Sequence, residues 1–308
     1  MLSEGSARPK ATILITSKNR KEELRVAVKS ALEQTGNPEV LVIDDGSTDG
    51  TSDLIRAEFP QVNLHRFEKS EGLIVQRNRG AELAAGEIVF SMDDDAIFSS
   101  PHVVEQTLAD FDHPRIGAVA IPFINVRQDN RIRQSAPDKT GTYLAASYIG
   151  TAHALRRDLF LKLGGYRACL VHQGEEGDYC IRMLEAGYVV RLGRADPIHH
   201  FESPRRDFRR MDLYGRRNDV LFAFWNVPLS RMPLHVLMTS FNGLKFGVSC
   251  GRPFRHAQGV LRGWGAMFTY RKMRKPVSMQ TYNLSRLLKR AGNVALSQIE
   301  NQLPPMAT

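Results

Sequence analysis

Short, uniformly apolar runs alternate with amphipathic ones over the first hundred residues. Ala11–Thr16 (ATILIT) is a β-branched run that predicts a strand, and Lys21–Gln34 sets Leu24, Val26, Val28, Ala31 and Leu32 at helical positions. Val40–Ile43 (VLVI) predicts a second strand, and Thr51–Phe59 a second helix opened by Ser, Thr and Asp capping residues. Val62–Phe67 follows as a third strand. Gly72–Ala85 predicts a helix ended by Gly86, and Glu87–Met92 (EIVFSM) a fourth strand that runs into three consecutive aspartates. Strands that are apolar throughout and separated by helices imply an α/β fold, a mostly parallel sheet with helices on both faces. Ligands of such sheets bind beyond the carboxyl ends of the strands. That rule singles out Lys18-Asn19-Arg20, Asp44-Asp45-Gly46-Ser47 and Asp93-Asp94-Asp95.

The pattern changes further along. Residues 123–142 (FINVRQDNRIRQSAPDKTGT) are polar and turn-rich and predict a surface loop. A helix is expected over Glu176–Ala186 and a strand over Tyr188–Leu192. Val220–Leu244 is rich in aromatics and leucine, but Arg231 interrupts it between Pro228 and Pro233. Its longest uncharged piece has 13 residues, too few to span a bilayer. Arg252–Arg290 then mixes Arg and Lys with Phe, Trp, Leu and Met. The division expected is one α/β domain over residues 1–225 and a mainly helical region over 226–308.

Composition adds bounds. The 308 residues are 42% hydrophobic and 24% charged, which excludes a disordered, collagenous or disulfide-stapled chain. Cys169, Cys180 and Cys250 lack metal-ligand spacing and leave one cysteine unpaired, which favours a reducing compartment. The first ten residues (MLSEGSARPK) hold no apolar run, so a cytoplasmic location is expected. Charge is uneven. Residues 226–308 carry 12 Lys/Arg against one acid, Glu300; the whole chain is +9, which leaves −2 on residues 1–225. A near-neutral body with a basic appendage suggests a folded catalytic or binding unit tethered to something anionic, and docking on an anionic membrane surface is compatible with that. Nucleic-acid binding and a solvated basic face on a packing helix pair are the alternatives.

Three aspartates at one strand end are either a solvated acidic turn or a site for a hard divalent cation. Asp44-Asp45-Gly46-Ser47 reads likewise as a capped glycine turn or as half of a site. Two such turns on one sheet edge favour the site. A nicotinamide enzyme is excluded because ITSKNRKEEL has no glycine where G-x-G-x-x-G belongs, and no P-loop motif exists. A sugar nucleotidyltransferase would open on a Gly-rich, Arg-containing loop, which is absent.

ITSKNR, VIDDGSTDGT and QRNRGAELAAGEIVFSMDDD, in this order over residues 10–100, resemble the family-2 glycosyltransferases of GT-A fold, a Rossmann-like nucleotide-diphospho-sugar transferase architecture. The likeness resumes at Gly164-Gly165 and at GEEGDYCIRM, which stands where the family has Glu-Asp-x-Asp followed by Arg. The resemblance implies that Thr16 and Asp45 contact the nucleoside, Asp45 accepting from the imide of the base. Asp93 and Asp94 would face the ribose, and Asp95, closing the D-x-D motif, would ligate Mg²⁺ or Mn²⁺. Asn78 would brace the acidic turn. Lys18 and Arg20 belong to the first turn, with Lys18 where relatives carry a stacking aromatic and free to approach a phosphate. One of His199 and His200, His199 by preference, would complete the metal shell. Arg205, Arg206, Arg209 and Arg210 would close over the diphosphate or form a solvated helix face.

Transfer with inversion needs a carboxylate to take the acceptor's proton and a cation to meet the charge of the leaving diphosphate. Glu176 is the expected base, with Glu175 and Asp178 in reserve; the plainer alternative is an acidic first helical turn that favours the macrodipole. The activity implied is metal-dependent, inverting transfer from a UDP- or dTDP-sugar to a saccharide or lipid-linked acceptor in cell-surface polysaccharide synthesis, at the inner face of the membrane. The alternatives are an inactive sugar-nucleotide-binding scaffold and a basic membrane- or nucleic-acid-binding protein, with nucleic acid the less favoured partner.

Overall fold

Every side chain of β1 (Ala11–Ser17) is buried, so the strand must be covered on both faces. The computed structural model describes residues 10–202 and 207–307. In it β1 lies between β2 (Glu39–Asp44) and β4 (Ile88–Asp93), parallel to both, and β3 (Asn63–Arg66) closes that edge parallel to β2. The connections are α1 (Lys21–Leu32), α2 (Thr51–Glu58) and α3 (Leu73–Leu83). Side chains alternate across the strand. Ile13 and Ile15 face Leu24 and Val28 of α1, whereas Leu14 faces Ile74 and Ala81 of α3.

Beyond β4 come β5 (Ala96–Phe98), α4 (Val103–Ala109), β6 (Ile116–Ala120), β7 (Phe123–Asn125), β8 (Ile132–Arg133), β9 (Tyr143–Ala145), β10 (Ala152–Arg156) and α5 (Arg157–Lys162). They are followed by α6 (Glu175–Glu185), β11 (Val189–Leu192), β12 (Ile198–His200), α7 (Phe208–Asn226), α8 (Met232–Ser249), α9 (Pro253–Thr269), α10 (Met279–Ala291), β13 (Val294–Ala295) and α11 (Leu296–Ile299). The nine-stranded main sheet runs β13-β9-β11-β6-β10-β4-β1-β2-β3. Strands β4, β1, β2 and β3 are parallel as expected, and β10 runs against both β4 and β6. A small sheet, β5-β12-β7-β8, stands beside it.

Residues 123–142 are not the open loop their polarity predicts. β7 and β8 pair there as a hairpin, and side chains hold what apolar burial does not. Gln134 donates to the carbonyls of Ile121 and Ala152 and accepts from Ile149 N–H, while Asp138 accepts from Thr140, Gly141 and the Tyr143 hydroxyl. The division expected at residue 225 falls inside α7. The chain then returns to the sheet, because β13 pairs with β9 and Leu284, Leu288, Val294 and Ile299 pack on Ile116, Val119 and Leu144. All three cysteines are free, and no helix among the described residues is long and apolar enough to cross a membrane.

The turn into β4 presses directly on β1. A Cβ at Gly86 would lie 2.5 Å from Ala11 C and Thr12 N, both backbone atoms that cannot swing aside. Gly86→Ala should therefore cost about 1–3 kcal/mol, seen as a lower midpoint in urea with an unchanged slope.

Candidate active site

The carboxyl ends of β1, β2 and β4 form one wall of a cleft of about 380 Å³, lined by Thr16, Lys18, Arg20, Asp45, Asp93 to Asp95 and His200, among others. The first two turns lock together. Asn19, in the left-handed region at φ 54°, donates its N–H to Ser47 Oγ and accepts from Thr48 N–H. Asp44 turns inward, where it accepts from Ser47 N–H and the Ser52 hydroxyl. Asp45 faces the cleft and accepts from four donors: Ser70 Oγ, Gln76 Nε2 and the N–H groups of Glu71 and Gly72. Burial alone would raise its pKa, but these hydrogen bonds outweigh burial and hold it below the usual aspartate value.

The aspartate triplet diverges. Asp93 accepts from Arg77 Nη2 at 2.7 Å; Asp94 accepts from Ser17 Oγ and Arg20 Nη1, each at 2.7 Å; Asp95 accepts from Arg20 Nη2 at 3.0 Å. His200 Nε2 lies 3.2 Å from Asp95 Oδ1. Burial pushes Asp94 up to about 7 despite Arg20 and Ser17. For Asp95, burial is outweighed by His200 and Arg20, and its pKa falls to about 2. One donor atom from each of Asp93, Asp95 and His200 lies within 4.8 Å of the others. Two carboxylates, one of them firmly ionised, and an imidazole fit a divalent cation.

Arg77 joins this cluster to α6. Its guanidinium is almost fully buried, donates to Asp93 and the Gly150 carbonyl, and lies 3.5 Å from Glu175 and 3.8 Å from Glu176. The three carboxylates share one guanidinium. Burial raises both glutamates; for Glu176 the adjacent Glu175 charge adds to it, and its pKa reaches about 8 against the pull of Arg77. Space here is tight, since a Cβ at Gly150 would lie 2.6 Å from Glu176 Oε1 and 2.8 Å from Arg77 Nη1.

The structure brings Thr16, Lys18, Arg20, Asp45, Asp93, Asp94, Asp95 and His200 together, with Glu175 and Glu176 one guanidinium away. Other expectations need correction. Asn78 does not brace the acidic turn; it accepts from Tyr166 N–H and donates to the Tyr166 carbonyl, gripping the chain after Gly164-Gly165. Asp178 lies two residues beyond Glu176, about 200° around the helix, and accepts from Arg182 and Asn226 in the interior. His199 pairs with Ile97 and faces away, whereas His200 pairs with Ala96 on the side of Ile198, so His200 is the histidine at the acidic cluster. Arg205 and Arg206 lie outside the described residues, and Arg210 donates to the Val171 carbonyl. Gln76 and Arg77 stand in the stretch that carries the resemblance, but the sequence assigns neither a role. Their signal was present: Arg77 falls between Ile74 and Ala81 on the stripe that α3 buries.

This sheet, with an acidic cluster and a cleft at its strand ends, defines a GT-A transferase fold. The chain belongs to glycosyl transferase family 2, whose family model matches residues 12–168, just over half of it. It is 28% identical over 194 residues to the glucosyl-dolichyl phosphate glucuronosyltransferase of Haloferax volcanii (57% of this chain, 60% of that protein). It is 29% identical over 184 residues to an uncharacterized glycosyltransferase of Haemophilus influenzae (56% of this chain, 62% of that protein). The chain thus spans about three fifths of the length of these curated relatives. Among solved structures, the mannosyltransferase PcManGT of Pyrobaculum calidifontis, in complex with GDP-Man and Mn²⁺, superposes with a TM-score of 0.58 at 18% identity, covering 92% of this chain and 80% of that one. Residues 1–349 of S. aureus TarS in complex with UDP-GlcNAc give 0.64 at 14% identity, covering 84% and 81%.

Removing the guanidinium would leave three carboxylates unanswered, so Arg77→Met should lose about 3–5 kcal/mol in urea unfolding. Glu176 allows a test by pH. Its carboxyl binds a proton more tightly folded than unfolded, so its contribution favours folding below the ordinary glutamate value of 4.5 and is lost as pH rises through about 8. Glu176→Gln abolishes that titration. Its Tm relative to the parent should therefore rise as pH is taken from 5 to 8.5, and a difference that stays flat across that range would contradict the raised value.

Proposed function

We propose that the protein is a metal-dependent, inverting glycosyltransferase that moves a sugar from a UDP- or dTDP-sugar to a hydroxyl of a saccharide or lipid-linked saccharide in cell-surface polysaccharide synthesis. The observation that carries this reading is the Asp93–Arg77–Glu176 bridge. It joins Asp93 of the candidate cation site, through a buried guanidinium, to Glu176, the carboxylate that would accept the proton. Membership of glycosyl transferase family 2 supports it, as do fold relatives solved with nucleotide-sugars and Mn²⁺.

In this reading Asp45 faces the base. Its two oxygens already carry two donors each, so an imide N–H enters only as Ser70 Oγ–H or the Gln76 amide turns away. Asp93, Asp95 and His200 would hold Mg²⁺ or Mn²⁺, which when bound meets negative charge on the leaving diphosphate. Lys18, exposed at the cleft rim, reaches toward a phosphate. Arg77 holds Glu176 in place and keeps it from repelling Asp93. The Glu176 carboxylate takes the proton of the acceptor hydroxyl as that oxygen attacks the anomeric carbon from the face opposite the diphosphate. A pKa raised toward that of a working base suits this step better than an ordinary glutamate.

Calorimetric titration with UDP, dTDP and GDP, with and without Mn²⁺, tests the donor site. Mn²⁺-dependent binding of UDP or dTDP is the expected result, and binding of none of them would overturn the reading. Asp95→Ala should lose the Mn²⁺ dependence. Glu176→Gln should bind the diphosphate like the parent and transfer sugar roughly 10²–10⁴-fold more slowly; an unimpaired variant would remove Glu176 as the base.

A further inference from the structure

A helix on the surface of a folded protein turns its large apolar residues inward. Helices α8 and α9 do the opposite. The inner stripe of α8 is Val236, Ser240, Gly243 and Gly247, and that of α9 includes Gly259, Val260, Gly263 and Ala266. These small residues let the helices approach closely: a Cβ at Gly259 would lie 2.8 Å from the Leu213 carbonyl oxygen of α7, and one at Gly247 2.6 Å from His256 Cβ. The large side chains point outward. Leu237, Phe241 and Val248 of α8 and Phe254, Leu261 and Phe268 of α9 are 56–89% exposed. Trp264 donates its indole N–H to Ser240 Oγ at 3.0 Å, which fastens the helices side by side. A surface this apolar is uncommon on a soluble monomer and marks an interaction site.

The charge around it identifies the partner. Lys245, Arg255, Arg262, Arg271 and Lys272 are exposed on or next to these helices, and no acidic residue stands between Asp219 and Glu300. A second copy of the chain seated face to face would oppose these cations with no carboxylate to pair them. A bilayer carrying anionic headgroups answers both features. It accepts aromatic and leucine side chains at the boundary of the acyl chains and supplies phosphates to the Lys and Arg rim.

We propose that the outer face of the α8–α9 hairpin docks flat on an anionic lipid bilayer. Neither helix is long and apolar enough to cross one. The attachment is peripheral, and it is independent of the transfer chemistry.

The test is co-sedimentation of the full chain with vesicles, without donor or acceptor, so its outcome is separate from any failure to transfer sugar. The probes are vesicles of phosphatidylcholine alone and of an equal mixture with phosphatidylglycerol. The parent should bind the mixed vesicles, and added salt should weaken that binding. Arg255→Gln with Arg262→Gln should weaken it by about tenfold or more. Phe241→Ser, Leu261→Ser and Phe268→Ser combined should abolish it. Because these side chains are exposed, both variants should melt with the parent. Equal binding by parent and variants, or no binding to mixed vesicles, would overturn the proposal. So would a dimer in lipid-free solution that the triple variant dissociates, since that makes the face a self-association surface.

Discussion

Three carboxylates at the end of one buried strand must each be answered by charge or by hydrogen bonds, and the site is arranged around that requirement. Arg20 answers Asp94 and Asp95 from the turn after β1, and Arg77 answers Asp93 from α3. The two arginines differ in consequence. Arg20 is partly exposed and its charge is screened, whereas Arg77 is buried and must be paired on all sides. Its partners therefore come from β4, from the Gly150 carbonyl and from the start of α6. The pairing of β10 with β4 brings Gly150 beside Asp93, and Arg77 joins both to α6. Burial raises the proton affinity of the two glutamates, and one cation among Asp93, Glu175 and Glu176 leaves negative charge in excess that adds to it.

A second polar layer lies behind the guanidinium without adding to the charge. His153 of β10 is fully buried, and burial together with Arg77 lowers its pKa to about 3, so its ring is neutral. It stacks on Tyr148 at 4.0 Å, and its Nε2 meets the Tyr166 hydroxyl, which in turn meets that of Tyr148. Asn78 holds Tyr166 by its backbone on both sides. A charged group in that layer would compete with Arg77 for the same carboxylates. Neutral partners satisfy one another and leave the guanidinium committed to the site. The helix neighbours Arg77 and Asn78 thus divide the work, one at the acidic cluster and one on the chain behind it.

The part of this arrangement legible in the sequence is the part made by local pattern. β1, β2 and β4 are uninterrupted apolar runs, and the acidic turns that end them fall on one sheet edge by the rule for parallel strands. What local pattern does not carry depends on pairings distant in the chain. The choice of His200 over His199 is made by the register of β12 against β5, a strand of three residues. The antiparallel entry of β10 between β4 and β6 has no signature in its own residues. Arg77 sits in a stretch, QRNRG, whose polarity conceals that one side of the helix is buried. Asp178 is excluded for a simpler reason: two residues beyond Glu176 on a helix is nearly the opposite face.

α7 connects the cleft to the basic C-terminal region. On one side Asn218 donates to the carbonyls of Leu170, His172 and Gln173, which fixes the chain leading into Glu175. On the other, buried Asp212 accepts from Arg252 and faces His256, which ties α7 to α9. Asp212 and Asp219 are the last acids before Glu300. Asp212 answers Arg252, and Asp219 answers Arg216 on its own helix. Few carboxylates then remain to pair the other cations of residues 226–308, whose net charge is therefore directed outward. The helix that steadies the start of α6 also supports the face where apolar and cationic side chains are left exposed together. Order in the turn before Glu175 and orientation of that face thus depend on the same element.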